Sequence, residues 1–250
     1  MLPLVLAALA GAPPPAEIFR RAQDAWQHRA IPVYQSFTVP CDLTDYAQEC
    51  QAGDDARFTV RMSDGRTYAQ SVPKTDAPPK VLVRGGFIFG PGGAPLGFYR
   101  HVGVIAASPP PNLAPDPLLR TIATVSAVAH TYDIALAGED VIGGHECYHL
   151  TLRTSLDHDK FPLSDLWVDE ASFEIRALTY DWNFDDGHRG EVHYVFAPVG
   201  PAAFWAIVHI DAKVAAVHGF LRTRIDRVGS DMADIAFPTT QPDDEFVPPP

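Results

Sequence analysis

Leu166-Trp167-Val168-Asp169-Glu170-Ala171-Ser172-Phe173-Glu174-Ile175-Arg176, running on through Ala177-Leu178-Thr179-Tyr180-Asp181-Trp182-Asn183-Phe184, is the stretch that decides the fold. Residues 164–169 and 173–184 read as two strands joined by a tight turn. Asp169 can accept backbone N–H bonds across that turn, and Ser172 can do so more weakly. Trp167 and Ile175 are expected to pack around it. In the second strand Leu178, Tyr180, Trp182 and Phe184 share one face, opposite Ala177, Thr179, Asp181 and Asn183, because side chains alternate with a period of two. Val192, Tyr194 and Phe196 continue an aromatic face on the next strand. A hairpin with this much aromatic surface on one side must bury that side. Two burials fit: an ordinary core under helices, or one wall of an apolar ligand cavity.

Working outward, the same period recurs. Strands are expected at residues 33–39, 56–62, 66–71, 80–89, 98–105, 132–136, 146–153, 191–196, 203–210 and 217–225. Asp64-Gly65 is a hairpin turn signal. Connections such as Asp185-Asp186-Gly187 are short, which favours antiparallel neighbours. Two stretches have helical spacing. In residues 17–29, Ile18, Phe19, Ala22, Ala25 and Trp26 recur at that spacing, and Pro32 forces extension soon after. In residues 116–129, Asp116-Pro117 is a helix-start signal ahead of Leu118, Ile122 and Val125.

Composition agrees with a mainly β chain. Proline occurs 24 times in 250 residues, about twice the ~5% norm, which argues against a helix bundle. A 46% hydrophobic content supports one sizeable core and excludes whole-chain disorder. The formal charge of −12 repels phosphate backbones. The densest basic stretch, Arg222, Arg224 and Arg227, is interrupted by Asp226, so nucleic acid is not an expected partner.

The first 12 residues are an apolar run, closed by Pro13-Pro14-Pro15. That is too short to span a bilayer but has the size of a secretory apolar region, with Ala8-Leu9-Ala10 offering small residues for cleavage. No basic residues precede it. Residues 1–15 are therefore expected to be a signal or targeting segment, 16–240 one domain, and 241–250 a disordered acidic, Pro-rich tail. The expected location is periplasmic or secreted. Cys41 and Cys50 flank a polar loop whose length suits a disulfide in an oxidising compartment; free thiols are the alternative.

His145-Glu146-Cys147-Tyr148-His149 matches HExxH. That motif holds zinc only on a helix, where both histidines share a face. Gly143-Gly144 precedes it and Leu150, Thr151, Leu152 and Arg153 continue in period two, so a strand is expected. On a strand the two histidines stand ~13 Å apart, beyond one Zn²⁺. A hydrolase built on His145, Glu146 and His149 is the last-ranked reading. His145, Cys147 and His149 share a strand face, which suits either polar surface or two-residue metal capture. No cofactor is expected, because no nucleophile elbow or nucleotide loop is present.

The phrase Gly138 to Gly143 followed by Tyr148-x-Leu150-x-Leu152, and then the Leu166-Trp167-Val168-Asp169 hairpin ending in Ile175-Arg176, resembles the outer-membrane lipoprotein carriers, the LolA/LolB-like group. Ser172 stands where that group usually has Thr. The Pro-rich insert at 108–115 and the Cys41/Cys50 loop are not expected of the carriers. The resemblance implies an open, curved antiparallel half-barrel with a few helices over its concave apolar face. It also implies a non-enzymatic carrier for a lipid or a lipoprotein acyl chain. Leu178, Tyr180, Trp182, Val192, Tyr194 and Phe196 are then the expected lining. The alternative is an envelope sensor or scaffold of the same fold whose partner is a protein.

Overall fold

Helix α1 (Pro15–His28) opens on two prolines, Pro14 before it and Pro15 in its first turn, where the missing N–H costs nothing. Ile18, Ala22 and Trp26, each four residues apart, are its buried stripe. Glu17 on the outer side holds Arg20 and Arg21. The computed structural model describes residues 12–43, 49–87, 132–154, 163–183, 189–218 and 222–247. Most of the expected signal segment, the strand at 98–105, the insert at 108–115, the helix at 116–129 and Phe184 lie outside the described residues.

The described strands form two antiparallel sheets. β1 (Tyr34–Pro40), β2 (Asp55–Arg61), β3 (Arg66–Val72) and β4 (Val81–Phe87) come first in the chain. Then follow β5 (Asp133–Ile142), β6 (His145–Arg153), β7 (Leu163–Asp169), β8 (Ile175–Asn183), β9 (Arg189–Val199), β10 (Phe204–His218), β11 (Arg222–Asp231) and β12 (Ala233–Ala236). One sheet has the order β12-β1-β2-β3-β4, the other β11-β10-β9-β8-β7-β6-β5. The second is a meander in which every strand pairs with its sequence neighbour, as short connections require. Only Met232 separates β11 from β12, and its N–H donates to Val208 O on β10 at 2.9 Å. The chain thus steps from one sheet to the other in a single residue. Among the described residues the result is an open, curved β structure with no closed barrel.

A single cluster of buried residues draws on α1 and both sheets. Its spine is a row of directly opposed residues, Leu150, Leu166, Leu178, Tyr194 and Ile210, on β6 to β10. Helix α1 lies over this face against β5, β6 and β7. In the smaller sheet Phe37 and Phe58 are opposed and stacked, with ring centroids 5.5 Å apart.

Two expectations need correcting. Residues 217–225 are not one strand. β10 runs to His218 and β11 starts at Arg222, and these two residues are paired, so two antiparallel strands share the span of the expected one. Within the acidic tail, where disorder was expected, the described residues 241–247 are docked. Residues Asp243–Phe246 form a short 3-10 turn, and Phe246 is fully buried against Tyr34, with ring centroids 5.5 Å apart. One aromatic ring in the tail found an apolar seat on the outer side of β1, outweighing the polar composition around it.

Candidate functional site

The candidate site is the inner face of β8 and β9. Register brings Leu178 opposite Tyr194 and Tyr180 opposite Val192. Leu178 and Tyr180 are fully buried, and Val192 and Tyr194 are half-buried. The Tyr180 and Tyr194 rings meet edge to face at 6.0 Å. Burial pushes the Tyr194 phenol up to about 12. Burial raises Tyr180 as well, helped by Tyr194 and Tyr132, and it raises Tyr132. All three phenols therefore stay neutral at any physiological pH, and the wall is uncharged. Trp182 sits on β8 opposite Gly190, with its side chain outside the described residues. Phe196 lies farther along β9, opposite Ile207, and packs on Trp26 of α1. Of the six expected lining residues, Leu178, Tyr180, Val192 and Tyr194 thus form one continuous patch, while Phe196 belongs to the contact with the helix.

A hollow of about 450 Å³ opens at the ends of β6, β7 and β8, bordered by Thr151, Leu152, Arg153, Leu163, Asp165 and Asp181. Its lining is polar, and Leu178, Tyr180, Val192, Tyr194 and Phe196 do not border it. Leu163 links it to the wall, because Leu163 is opposed to Tyr180.

The turn between β7 and β8 is built as its residues suggest. Asp169 Oδ1 accepts the N–H groups of Ala171 and Ser172 at 3.0 and 2.9 Å. Arg176, at the end of the same hairpin, donates through Nε and Nη2 to Asp169 Oδ2 at 3.0 and 2.9 Å. Burial alone would raise the Asp169 pKa, but the Ser172 N–H, Arg176 and the Ala171 N–H outweigh it and hold the carboxyl below its usual range. Ile175, expected to pack around the turn, enters the core. Trp167 does not join it, since the strand alternation turns the indole to the other face, onto His149.

The HExxH residues lie on strand β6, where no helix face exists to join the two histidines. His145 Nδ1 stands 3.0 Å from Asp169. His149 lies between Asp165, 2.8 Å from its Nε2, and Asp140, 3.3 Å from its Nδ1. Cys147 is buried, and burial pushes its thiol up to about 11, away from reactivity. Among the described residues no three His, Cys, Asp or Glu side chains are grouped as a metal ion requires.

The outer face carries more order than the sequence reading assigned. Trp167 Nε1–H donates to Asp140 at 2.9 Å, and its ring stacks on His149 at 4.4 Å. His193 meets the same indole edge-on at 5.1 Å and bonds Thr179. His209 bridges Asp231 at 2.6 Å and Asp211 at 3.1 Å. The period-two pattern put these residues on one face, but the cross-strand register that pairs them is invisible in sequence. Cys41 and Cys50 form a disulfide, with Cα atoms 6.3 Å apart.

No protein-family model matches the chain, and no curated protein matches it as a relative. Solved structures do match. The crystal structure of the LolA superfamily protein NE2245 from Nitrosomonas europaea is 15% identical, with 95% of this chain and 99% of that one covered and a TM-score of 0.36. A putative outer membrane lipoprotein-sorting protein domain from Vibrio parahaemolyticus is 9% identical over 91% of this chain and 95% of that one, with a TM-score of 0.33. The MucA/MucB complex of Pseudomonas aeruginosa matches at 12% identity over 90% and 94%, with a TM-score of 0.24. Among the described residues no helix is long and apolar enough to cross a membrane.

Proposed function

We propose that this chain is an exported, non-enzymatic protein of the cell envelope that holds an apolar chain, a lipid or a lipoprotein acyl group, against the inner face of its seven-stranded sheet. One observation carries the reading. The apolar row across β6 to β10 continues beyond the strands that α1 covers, and there Val192, Tyr194 and Ile210 are only half-buried. An uncharged aromatic surface of this kind suits an acyl chain, with dispersion and burial supplying the affinity. The disulfide and the apolar N-terminal run support export.

The test is displacement of a fluorescent fatty acid, together with native mass spectrometry of the purified protein. Bound lipid in the native spectrum, and weakened binding in Trp182→Ala and Tyr194→Ala, are expected. A protein that carries no lipid, with binding unchanged in both variants, would defeat the proposal.

A further inference from the structure

We infer that the seat of Phe246 on the smaller sheet is an exchangeable peptide site. Its occupant is a segment of a partner protein that carries Asp-x-x-Phe with an apolar residue just before the ring. That segment displaces this chain's own residues 243–246. The inference goes beyond the acyl-chain reading and does not rest on it.

The seat is built without its occupant. Asp64, buried in the turn between β2 and β3, accepts from Arg61 Nε and from the Arg66 N–H, both at 3.0 Å. Its other oxygen accepts from Arg61 Nη2 and lies 3.7 Å from Arg66 Nε. One buried carboxylate thus fixes two guanidinium groups at the corner of a hairpin. Tyr34 is opposed to Arg61 across β1 and β2. None of these contacts uses the tail. A receptor already held in place loses little freedom on binding.

The resident tail shows what the seat accepts. Phe246 lays its ring on Tyr34 and beside the Arg61 guanidinium. Its carbonyl accepts from Arg66 Nη1 at 3.4 Å. Asp243 Oδ1, three residues earlier, stands 3.8 Å from Arg61 Nη1. The features read are therefore an aromatic ring, the carbonyl of the same residue and an acid three positions before it.

This segment can leave without undoing a ladder. It belongs to neither sheet, and residues 237–242 leading to it are in neither helix nor strand. Phe237 packs on Phe204 with ring centroids 4.9 Å apart, so β12 stays anchored when the residues beyond are released.

The tail also fits imperfectly. Glu245 Oε2 is buried and accepts no hydrogen bond among the described residues. Burial first, and then the charge of Asp244, raise the Glu245 pKa against the opposing charge of Arg84. A buried acceptor without a donor weakens the contact it sits in. A segment with an apolar side chain at that place keeps the ring, the carbonyl and the acid and removes the defect. A second copy of this chain brings the same glutamate, so its tail gains nothing over the resident one.

The experiment uses the full-length protein and labelled peptides copying residues 240–247. The peptides are the native sequence, the same with Glu245→Met, and the Met peptide with Phe246→Ala as well. Fluorescence anisotropy measures binding to wild type and to two full-length variants. Phe246→Ala empties the seat, and Glu245→Met improves the resident tail. The Met peptide is expected to bind Phe246→Ala most tightly. Wild type should bind it roughly a hundredfold more weakly, because a tethered tail competes at an effective concentration on the order of mM. The Glu245→Met chain should bind it more weakly again. The native peptide should bind about tenfold more weakly than the Met peptide, and the peptide without the ring not at all. If Phe246→Ala does not fold, the comparison of wild type with Glu245→Met still decides. Saturating wild type with the Met peptide should speed amide exchange at Glu245 and Val247, whose N–H groups are bonded within the tail. Equal affinity of the wild-type and Glu245→Met chains, binding that ignores the ring, or unchanged exchange at those two amides would each overturn the inference. A wild-type dimer that Phe246→Ala abolishes would give the seat to a second copy and overturn it too.

Discussion

Trp26 of α1 meets Phe196 of β9 edge to face, with ring centroids 5.5 Å apart and ring planes at 79°. This contact ties a helix that lies against β5, β6 and β7 to a strand farther across the sheet. Arg29 caps the same indole, its guanidinium carbon 3.6 Å from the ring centroid. Replacing Trp26 with Ala empties a large buried volume, and a loss of about 3–5 kcal/mol is expected. Urea unfolding checks it. A loss under ~1 kcal/mol would mean the helix is held elsewhere.

The Asp169–Arg176 pair is buried on both sides. Asp169→Asn leaves the buried guanidinium with only the more exposed Glu174, 3.5 Å away, as a charge partner, and should cost about 3 kcal/mol. The pH dependence has a definite sign. The folded-state pKa of Asp169 is lowered, so its stabilising contribution is present above the ordinary carboxyl range and is lost as pH falls through the lowered value. The unfolding curves of wild type and Asp169→Asn should converge on acidification, and a constant gap would refute the assignment.

His209 behaves in the opposite sense. Its hydrogen bond to Asp231 raises its pKa, burial opposes that rise, and the bond to Asp211 adds to it, with a net increase. Its contribution is therefore complete below the unfolded value of about 6.5 and fades as pH rises through the raised one. The melting temperature of His209→Gln should fall below that of wild type in mild acid and match it in alkaline buffer. Thermal scans across that range decide the matter.

Phe246 anchors the C-terminal segment. Its ring lies on Tyr34, the Arg61 guanidinium is 5.2 Å from its centroid, and its carbonyl accepts from Arg66. Phe246→Ala should cost about 3–5 kcal/mol and make residues beyond 241 susceptible to proteolysis. Intact stability after removal of those residues would show that the docking is superficial.

Local patterning carried most of the strand assignments, because a half-buried antiparallel strand writes its period into the chain. Leu178, Tyr180 and Tyr194 were legible as an inward face for that reason, and Asp169 as a turn builder from its hydrogen-bonding chemistry. The helix stripe of Ile18, Ala22 and Trp26 was legible too. What escaped depended on register or distance. Nothing near Arg176 in sequence signals its bond to Asp169, and His149 needs two other strands in place before its carboxylates are beside it. Phe246 was hidden by its acidic, proline-rich neighbours, which dominate any averaged property of the tail. The division of the lining residues between wall and helix contact also needed α1 in position, which no single-strand pattern contains.

The Met232 step makes a seam one residue wide between the two sheets, and their outer edges, β4 and β5, lie farthest from it. In mechanical terms the described strands make a creased leaf, pinned at the crease by the chain itself and by the bond from Met232 N–H to Val208 O. Exchange of backbone amides among the described strands should then run fastest at β4 and β5 and slowest beside the crease.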